Sequence, residues 1–476
     1  MRMRNTMNKI KNECWKVLLA VCALNLFPLL ATAQETVSFT VDEAVAYARK
    51  NSKTLKSSDI DLEIKKRTAK YSWNVFMPTV QTSATLARQN SVDAQLEAQN
   101  ASIESMNSLF SALGAPVPAS PTVKETESMH WAAMGNVGVS LNLSLAYFEQ
   151  IQAAKSDYES GLISYQQSIK ETETNVKKLF YGLLLQQENI KVKELSLENA
   201  RRRNTQSRAN WDNGLVPELA YLQAYVAYEN QKPEVAEAKR LLNQQLDTFA
   251  FLLGLPVGTR LKLVGSVEPE YIDADSEQLL ASYGNGTLQM QSLDSTKQNL
   301  QHNLKALNLS LAPALAFSWN WQPTLTNAFD TEWGDSDNWS DSGSFSATLA
   351  WNITNLLPSS STRVQAANLK DNIRKIELSM QTAKENQKME VRKAVDTLNT
   401  AREQIDAMSR SINLAERSYT MLEQSYEAGN TELLELRDAE SQLNQTKLGL
   451  LSQKYNYICA VLDLEQILNI NLGVAK

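Results

Sequence analysis

Between Gly135 and Glu159 the sequence GNVGVSLNLSLAYFEQIQAAKSDYE changes its apolar period partway through. Val137, Val139, Leu141, Leu143 and Leu145 stand at every second position, separated by small or polar Asn136, Gly138, Ser140, Asn142 and Ser144. That is a strand with one apolar and one wet face. From Tyr147 the alternation gives way to a long, charged, helix-favouring run, with almost no turn between the two. The fold must therefore let a two-faced strand continue directly into a helix.

The pattern occurs twice. Val176, Leu183, Ile190 and Leu197 align without gaps with Val391, Leu398, Ile405 and Ile412, and Trp211, Gly214 and Leu219 follow with Tyr426, Gly429 and Leu434. Upstream, FMPTVQTSATLA matches LAPALAFSWNWQ, and GVSLNLSLAYF matches SFSATLAWNIT, with small insertions. The unit is far longer than a solenoid repeat, so it reads as a duplicated domain. We place the first copy at residues 34–254 and the second at 277–476, joined by a Pro/Gly-rich linker at 255–276.

Each copy has the order helix, strand, loop, strand, very long helix, Gly turn, long helix. In the first copy LKSSDIDLEIKKRTAKYSWNVFM is the leading helix and Pro78 marks its end; Pro313 plays that part in the second. The strands of the second copy set Leu315, Phe317, Trp319 and Trp321 on one face, then Phe345, Ala347, Leu349, Trp351 and Ile353. The stretch from Phe148 to Trp211 contains no proline and would make a helix of roughly 95 Å. A strict heptad runs through Val391, Ala394, Leu398, Ala401, Ile405, Met408, Ile412, Ala415, Tyr419, Leu422 and Tyr426, implying a left-handed supercoiled seam. Gly214 and Gly429 then stop the long helices. The segments between paired strands, near 89–128 and 322–343, read as exposed loops, the first with a short helix.

The N-terminus has a basic start (Arg2, Arg4, Lys9, Lys11, Lys16), an apolar stretch and then ATAQE. This predicts a signal peptide over residues 1–33 and a mature start at Gln34. Val21 does not suit a lipoprotein box at Cys22. With Cys14 and Cys22 in the leader, Cys459 is left alone, so no disulfide forms within the mature chain. A net charge of −6 argues against a nucleic-acid partner. No mature segment has the ~18 continuous apolar residues of a spanning helix, so any passage through a membrane must use strands. His130 and His302, the only histidines, are far apart and lack metal-ligand neighbours. No nucleophile or phosphate-loop motif occurs. We therefore expect no enzyme activity, no metal and no cofactor.

Each strand approaches the ~9–11 residues that cross a bilayer. Four strands leave two open edges, which cannot face lipid. Two copies would give eight strands with a nearly filled interior, and three would give twelve with an open lumen. Small polar residues on the inner face favour three. Trp319, Trp321 and Trp351 would then suit an aromatic girdle. The competing architectures are a soluble β-sandwich with a coiled-coil appendage, or a periplasmic coiled-coil scaffold without a pore.

The segment TVDEAVAYARKNS, the doubled strand-helix unit, and the paired tips WDNGLVPELAYLQA and YEAGNTELLELRDAESQL resemble the TolC-like outer-membrane efflux proteins. The resemblance spans essentially the whole mature chain. It implies a mainly α fold with a transmembrane β-barrel: a homotrimer whose twelve-stranded barrel in outer-membrane lipid continues as a periplasmic helical tube. It implies an exit channel of a tripartite efflux or secretion system, fed by a periplasmic adaptor and an inner-membrane resistance-nodulation-division or ABC pump. Matching residues would build a pore constriction from Glu435, Asp438 and Tyr426, and adaptor docking from Gly214, Leu215, Gly429 and Asn430. Glu435 and Asp438, three apart, share a helix face; the sequence reading puts Glu435 beyond the first turn of its helix. Thr431 stands where the family has the arginine partner of the latch tyrosine, so the latch is built differently here.

Overall fold

The computed structural model describes residues 37–117, 122–284 and 286–472; the expected signal peptide and Gln34 lie outside them. In chain order the elements are β1 (Val37–Phe39), α1 (Val41–Asn51), α2 (Lys53–Lys70), β2 (Thr79–Arg88), α3 (Asp93–Ala112), β3 (Trp131–Leu143), α4 (Ala146–Asp212), α5 (Glu218–Leu253) and β4 (Leu261–Leu263). They continue with α6 (Ser276–Tyr283), α7 (Leu288–Leu309), β5 (Ala314–Trp321), β6 (Pro323–Thr326), β7 (Ser340–Asp341), β8 (Ser344–Ala350), α8 (Ser361–Glu427) and α9 (Leu433–Leu468). The duplication is metrical: α4 and α8 both have 67 residues, and α5 and α9 both have 36. The described residues divide into two compact units, one drawn from 37–61, 163–291 and 382–472, the other from 62–162 and 292–381.

The first unit is helical and holds the main apolar core. Every heptad position from Val391 to Tyr426 is buried or half-buried, and Val391, Leu398, Ala401 and Ile405 are almost fully enclosed. Val176, Phe180 and Leu183 of α4 join the same core, with Phe249 and Leu253 of α5 and Ile458, Val461 and Leu464 of α9. Thr40 and Glu43 form a capping box that starts α1, Thr40 N donating to Glu43 Oε2 (2.9 Å) and Glu43 N to Thr40 Oγ1 (3.4 Å). That box explains the start of the TVDEAVAYARKNS segment.

The stretch between the repeats is fastened to this core. Its β4 pairs in parallel with β1 in the register Val37 to Leu261, Ser38 to Lys262 and Phe39 to Leu263. The fully buried Tyr457 satisfies its hydroxyl on the stretch, accepting from Ile272 N at 2.8 Å. Arg402 binds Asp273 at 3.0 Å with its guanidinium over the Tyr271 ring, and Lys454 binds Glu268 at 2.7 Å. Cys459 is half-buried, and burial holds its thiol above the ordinary cysteine range.

The second unit is built on an antiparallel sheet in the order β2-β3-β5-β8, with β6 and β7 added beside the start of β3. Directly opposed residues share a face. The register therefore puts Val80 and Leu86, Val137 to Leu143 at alternate positions, Leu315 to Trp321 likewise, and Phe345 and Leu349 on one side. The other side carries Thr79, Asn136, Ser140, Asn142, Ser318, Asn320 and Ser346, tied by Thr79 Oγ1–Ser140 Oγ at 2.6 Å and Ser318 Oγ–Ser346 Oγ at 2.7 Å. The apolar side is open: Phe345 is 68% exposed and Leu349 71%. A β-sandwich would cover this face with a second sheet, and among its described residues this unit has no second sheet.

The step from strand to helix is as abrupt in the first copy as the sequence implies. β3 ends at Leu143 and α4 begins at Ala146, with Ser144 capping: its Oγ accepts from Ala146 N (3.3 Å) and its carbonyl from Tyr147 N (3.1 Å). The second copy departs from expectation. Residues 351–360, containing a 3-10 turn at Ile353–Leu356 and then Pro358, separate β8 from α8. Trp351 and Ile353 thus lie beyond the strand.

Three further expectations are corrected. The leading helix of the first copy stops at Lys70, short of Pro78. A 3-10 turn at Ser72–Phe76 carries Phe76 against Tyr147 and Phe148, with ring centroids 5.7 and 5.5 Å away. The expected short helix of the first loop is α3, which has 20 residues. The second loop is ordered around its aromatics: Leu325 and Ala328 are buried under Trp131 and Trp339, and Trp131 meets Phe329 edge-on at 5.3 Å. Among the described residues no helix is long and apolar enough to cross a membrane.

Candidate functional site

The two helix-turn-helix tips are built alike. At the first, Leu215 N donates to Asn210 O (2.8 Å) and Gly214 N to Trp211 O (2.8 Å); at the second, Asn430 N donates to Ser425 O (2.9 Å) and Gly429 N to Tyr426 O (3.0 Å). Both glycines are left-handed, with φ of 71° and 79°, which a side chain would strain. The turns present Gly214, Leu215, Gly429 and Asn430 outermost, all exposed. The returning helices α5 and α9 take Pro217 and Glu432 as N-caps.

Around these turns the tips differ. Trp211 stacks on Tyr221 at 5.3 Å with rings nearly parallel, giving the first tip an aromatic brace. At the second tip the corresponding Tyr426 is half-buried, and Ser425 Oγ meets Thr431 Oγ1 at 2.6 Å across the turn. Thr431 therefore closes its own turn, which a sequence comparison looking for an arginine at that position does not reveal.

Glu435 lies in the first turn of α9, which begins at Leu433, not beyond it as the sequence reading has it. The helix starts later than that reading implies because residues 428–432 are taken up in reversing the chain, with Glu432 as the N-cap. Asp438 comes one turn later. Both are exposed, and neither makes an ion pair among the described residues. The buried face of α9 here is Leu436, Glu440 and Leu443. At 100° per residue, Glu435 and Asp438 point well away from that face, and Arg437 sits on the opposite flank. An open groove of ≈ 1340 Å³ runs along α5 and α9 to the tip; Leu219, Val226, Tyr426, Gly429 and Asp438 line it, whereas Glu435 lies outside.

Just past Asp438 along α9 is a cluster that the sequence alone does not reveal. Arg203 Nη2 meets Glu440 Oε2 at 2.6 Å, both side chains buried, and Asn199 Nδ2 donates to Glu440 Oε1 at 3.0 Å. Nearby, Tyr419 donates to Glu423 (3.1 Å), and burial, reinforced by Glu440 and Glu423, pushes its phenol up to about 12. The available signal was spacing: Glu440 falls on the same face of α9 as Leu436 and Leu443.

The solved structures that this fold resembles are channels. The outer membrane channel CmeC of Campylobacter jejuni superposes with a TM-score of 0.72 at 16% identity, covering 90% of this chain and 85% of that one. The open state of the MtrE outer membrane channel of Neisseria gonorrhoeae gives 0.67 at 15% identity, covering 91% and 89%. The outer membrane protein VceC of Vibrio cholerae gives 0.66 at 12% identity, covering 91% and 97%. No curated protein sequence matches detectably. The family model for outer membrane efflux proteins, however, matches residues 45–255 and 284–469, most of the chain. The chain belongs to the outer membrane efflux protein family, a family of channel proteins, and is accordingly an outer-membrane exit channel of a tripartite efflux system, extending into the periplasm.

Proposed function

We propose that three copies of the chain close one twelve-stranded barrel in outer-membrane lipid, continued by a periplasmic helical tube. The observation that carries this reading is the four-stranded sheet with an exposed apolar face, an opposite face of Ser, Thr and Asn, and two edges, β2 and β8, left unpaired among the described residues. Lipid covers the apolar face at no cost, water fills the polar interior, and pairing β8 of one copy with β2 of the next removes both edges of the four-stranded part. Twelve strands leave room for a lumen where eight do not.

In this reading the repeats at 34–254 and 277–476, with their 255–276 linker, alternate around the tube. The tips at Gly214, Leu215, Gly429 and Asn430 meet a periplasmic adaptor, and an inner-membrane pump of the resistance-nodulation-division or ABC class supplies the energy. Glu435, Asp438 and Tyr426 narrow the periplasmic end. Mass photometry of the full chain in mild detergent tests the assembly: the expected particle is a trimer, and a population of monomers and dimers alone would sink the reading.

A further inference from the structure

The loop from β2 to β3, which carries α3, is closed at its base by His130. The side chain is almost fully enclosed, with the residue 6% exposed, and both ring nitrogens are engaged. Nδ1 lies 2.8 Å from the main-chain carbonyl of Gln89, and Nε2 lies 2.7 Å from Glu125 Oε1. A carbonyl and an ionised carboxylate can only accept, so both contacts are hydrogen bonds only when the ring carries both protons. A neutral imidazole must turn a lone pair toward one of them.

The partners give this contact mechanical meaning. Gln89 follows the last ladder pair of β2, Arg88 with Trp131, and its N–H also donates to His130 O at 2.7 Å. Glu125 lies on the returning segment. One ring thus ties the segment leaving the sheet to the segment coming back. Arg88 and Glu127 are the other charged groups at the ring, and they neutralise each other in a two-pronged pair at 2.8 and 3.1 Å, which leaves Glu125 to the imidazole. From the second loop, Asp330 presents its main-chain N–H to Ser128 Oγ at 3.0 Å, and Ala328 N donates to Trp131 O at 3.1 Å. The closed base is therefore also what the aromatic loop after β6 rests on.

We infer that His130 is a pH-operated clasp: as the imidazolium it ties Gln89, just after β2, to Glu125 on the returning segment 122–130, and on losing a proton it releases that segment. The Gln89 carbonyl, and after it Glu125, hold the imidazole above the ordinary histidine range, against burial and the charge of Arg88. The native pKa is thus higher than the unfolded one. The stabilisation is fully present below about pH 6.5 and is lost as pH rises through the higher native value.

Hydrogen exchange of the full chain in detergent, corrected for intrinsic rates, tests this directly. Amides of 122–130 are expected to lose roughly tenfold protection between about pH 6 and about pH 9. His130→Gln should exchange fast at both, and Glu125→Gln, at a more exposed position, should abolish the difference even where the histidine variant folds poorly. Because the chain has two histidines, 15N-histidine spectra assigned with His302→Gln should show both His130 nitrogens protonated at about pH 6 and one bare at about pH 9. Equal protection at the two pH values, or a neutral single-tautomer His130 at about pH 6, would overturn the inference.

Discussion

Arg203→Ala is expected to destabilise the helical unit by about 3–5 kcal/mol, among the largest effects of any single change outside the apolar core. Arg203 is 9% exposed and Glu440 6%, so truncating the arginine strands a carboxylate where little water can reach it. Asn199 supplies one donor to Glu440, which cannot balance a full charge. The same pair need not itself be a strong net stabiliser, because desolvating both ions offsets much of their attraction. Replacing both partners at once, Arg203→Met with Glu440→Leu, should therefore recover most of the loss and can exceed the parent's stability. Denaturant titration in detergent distinguishes the cases. If the double variant is as unstable as Arg203→Ala, the cost arises from lost packing between α4 and α9 and not from an unpaired charge.

What the pair contributes beyond stability is position. It joins α4 to α9 at the level where the buried stripe of α4 turns from apolar Val176, Leu183 and Ile190 to Ala200, Arg203 and Ser207. Apolar side chains slide past one another with small penalties, whereas Glu440, held on one oxygen by Arg203 and on the other by Asn199, fixes both rotation and height. The pair thus sets the register of α9 just before the turn that carries Glu435 and Asp438.

Much of this architecture is readable in the residues because it depends on period alone. Alternation assigned the faces of β3 and β5, the heptad from Val391 to Tyr426 assigned the buried seam of α8, and Gly214 and Gly429 assigned the turns. What was not readable depends on partners distant in sequence. Nothing local says that Arg203, among three consecutive arginines, is the one turned inward to Glu440. The 3-10 turn at Ser72–Phe76 exists because Phe76 finds Tyr147 and Phe148, and the aromatic loop is ordered because Phe329 finds Trp131. At the tip, the sequence does not show that Glu435 falls in the first turn of α9, because helix starts are set by capping geometry and Glu432 caps without a side-chain bond. The unpaired edges of β2 and β8 are a different matter: there the missing partner is another copy of the same chain in the proposed assembly.

Glu435→Ala with Asp438→Ala is expected to abolish most of the cation selectivity of the channel in planar bilayers and to raise the concentration of cobalt-complex or divalent cation needed for block from the tip side by roughly tenfold or more. The reasoning starts from charge that is not already used. Glu440 is neutralised by Arg203 and Asp212 stands beside Arg208, but Glu435 and Asp438 carry no ion pair among the described residues. They project from α9 away from its buried face, one turn apart, so in the proposed trimer they stack as two rings of three carboxylates. Acids in the first turn of a helix also favour its dipole, and for Glu435 that local role alone would predict a small loss of stability with no change in current. The two roles separate by what is measured. A helix-start effect shifts the melting temperature by a little and leaves selectivity intact, whereas a pore ring does the reverse. Asp212→Ala, an acid at the other tip, controls for general surface charge. If the double variant blocks and selects as the parent does, or if Asp212→Ala changes selectivity equally, Glu435 and Asp438 do not line the conducting path.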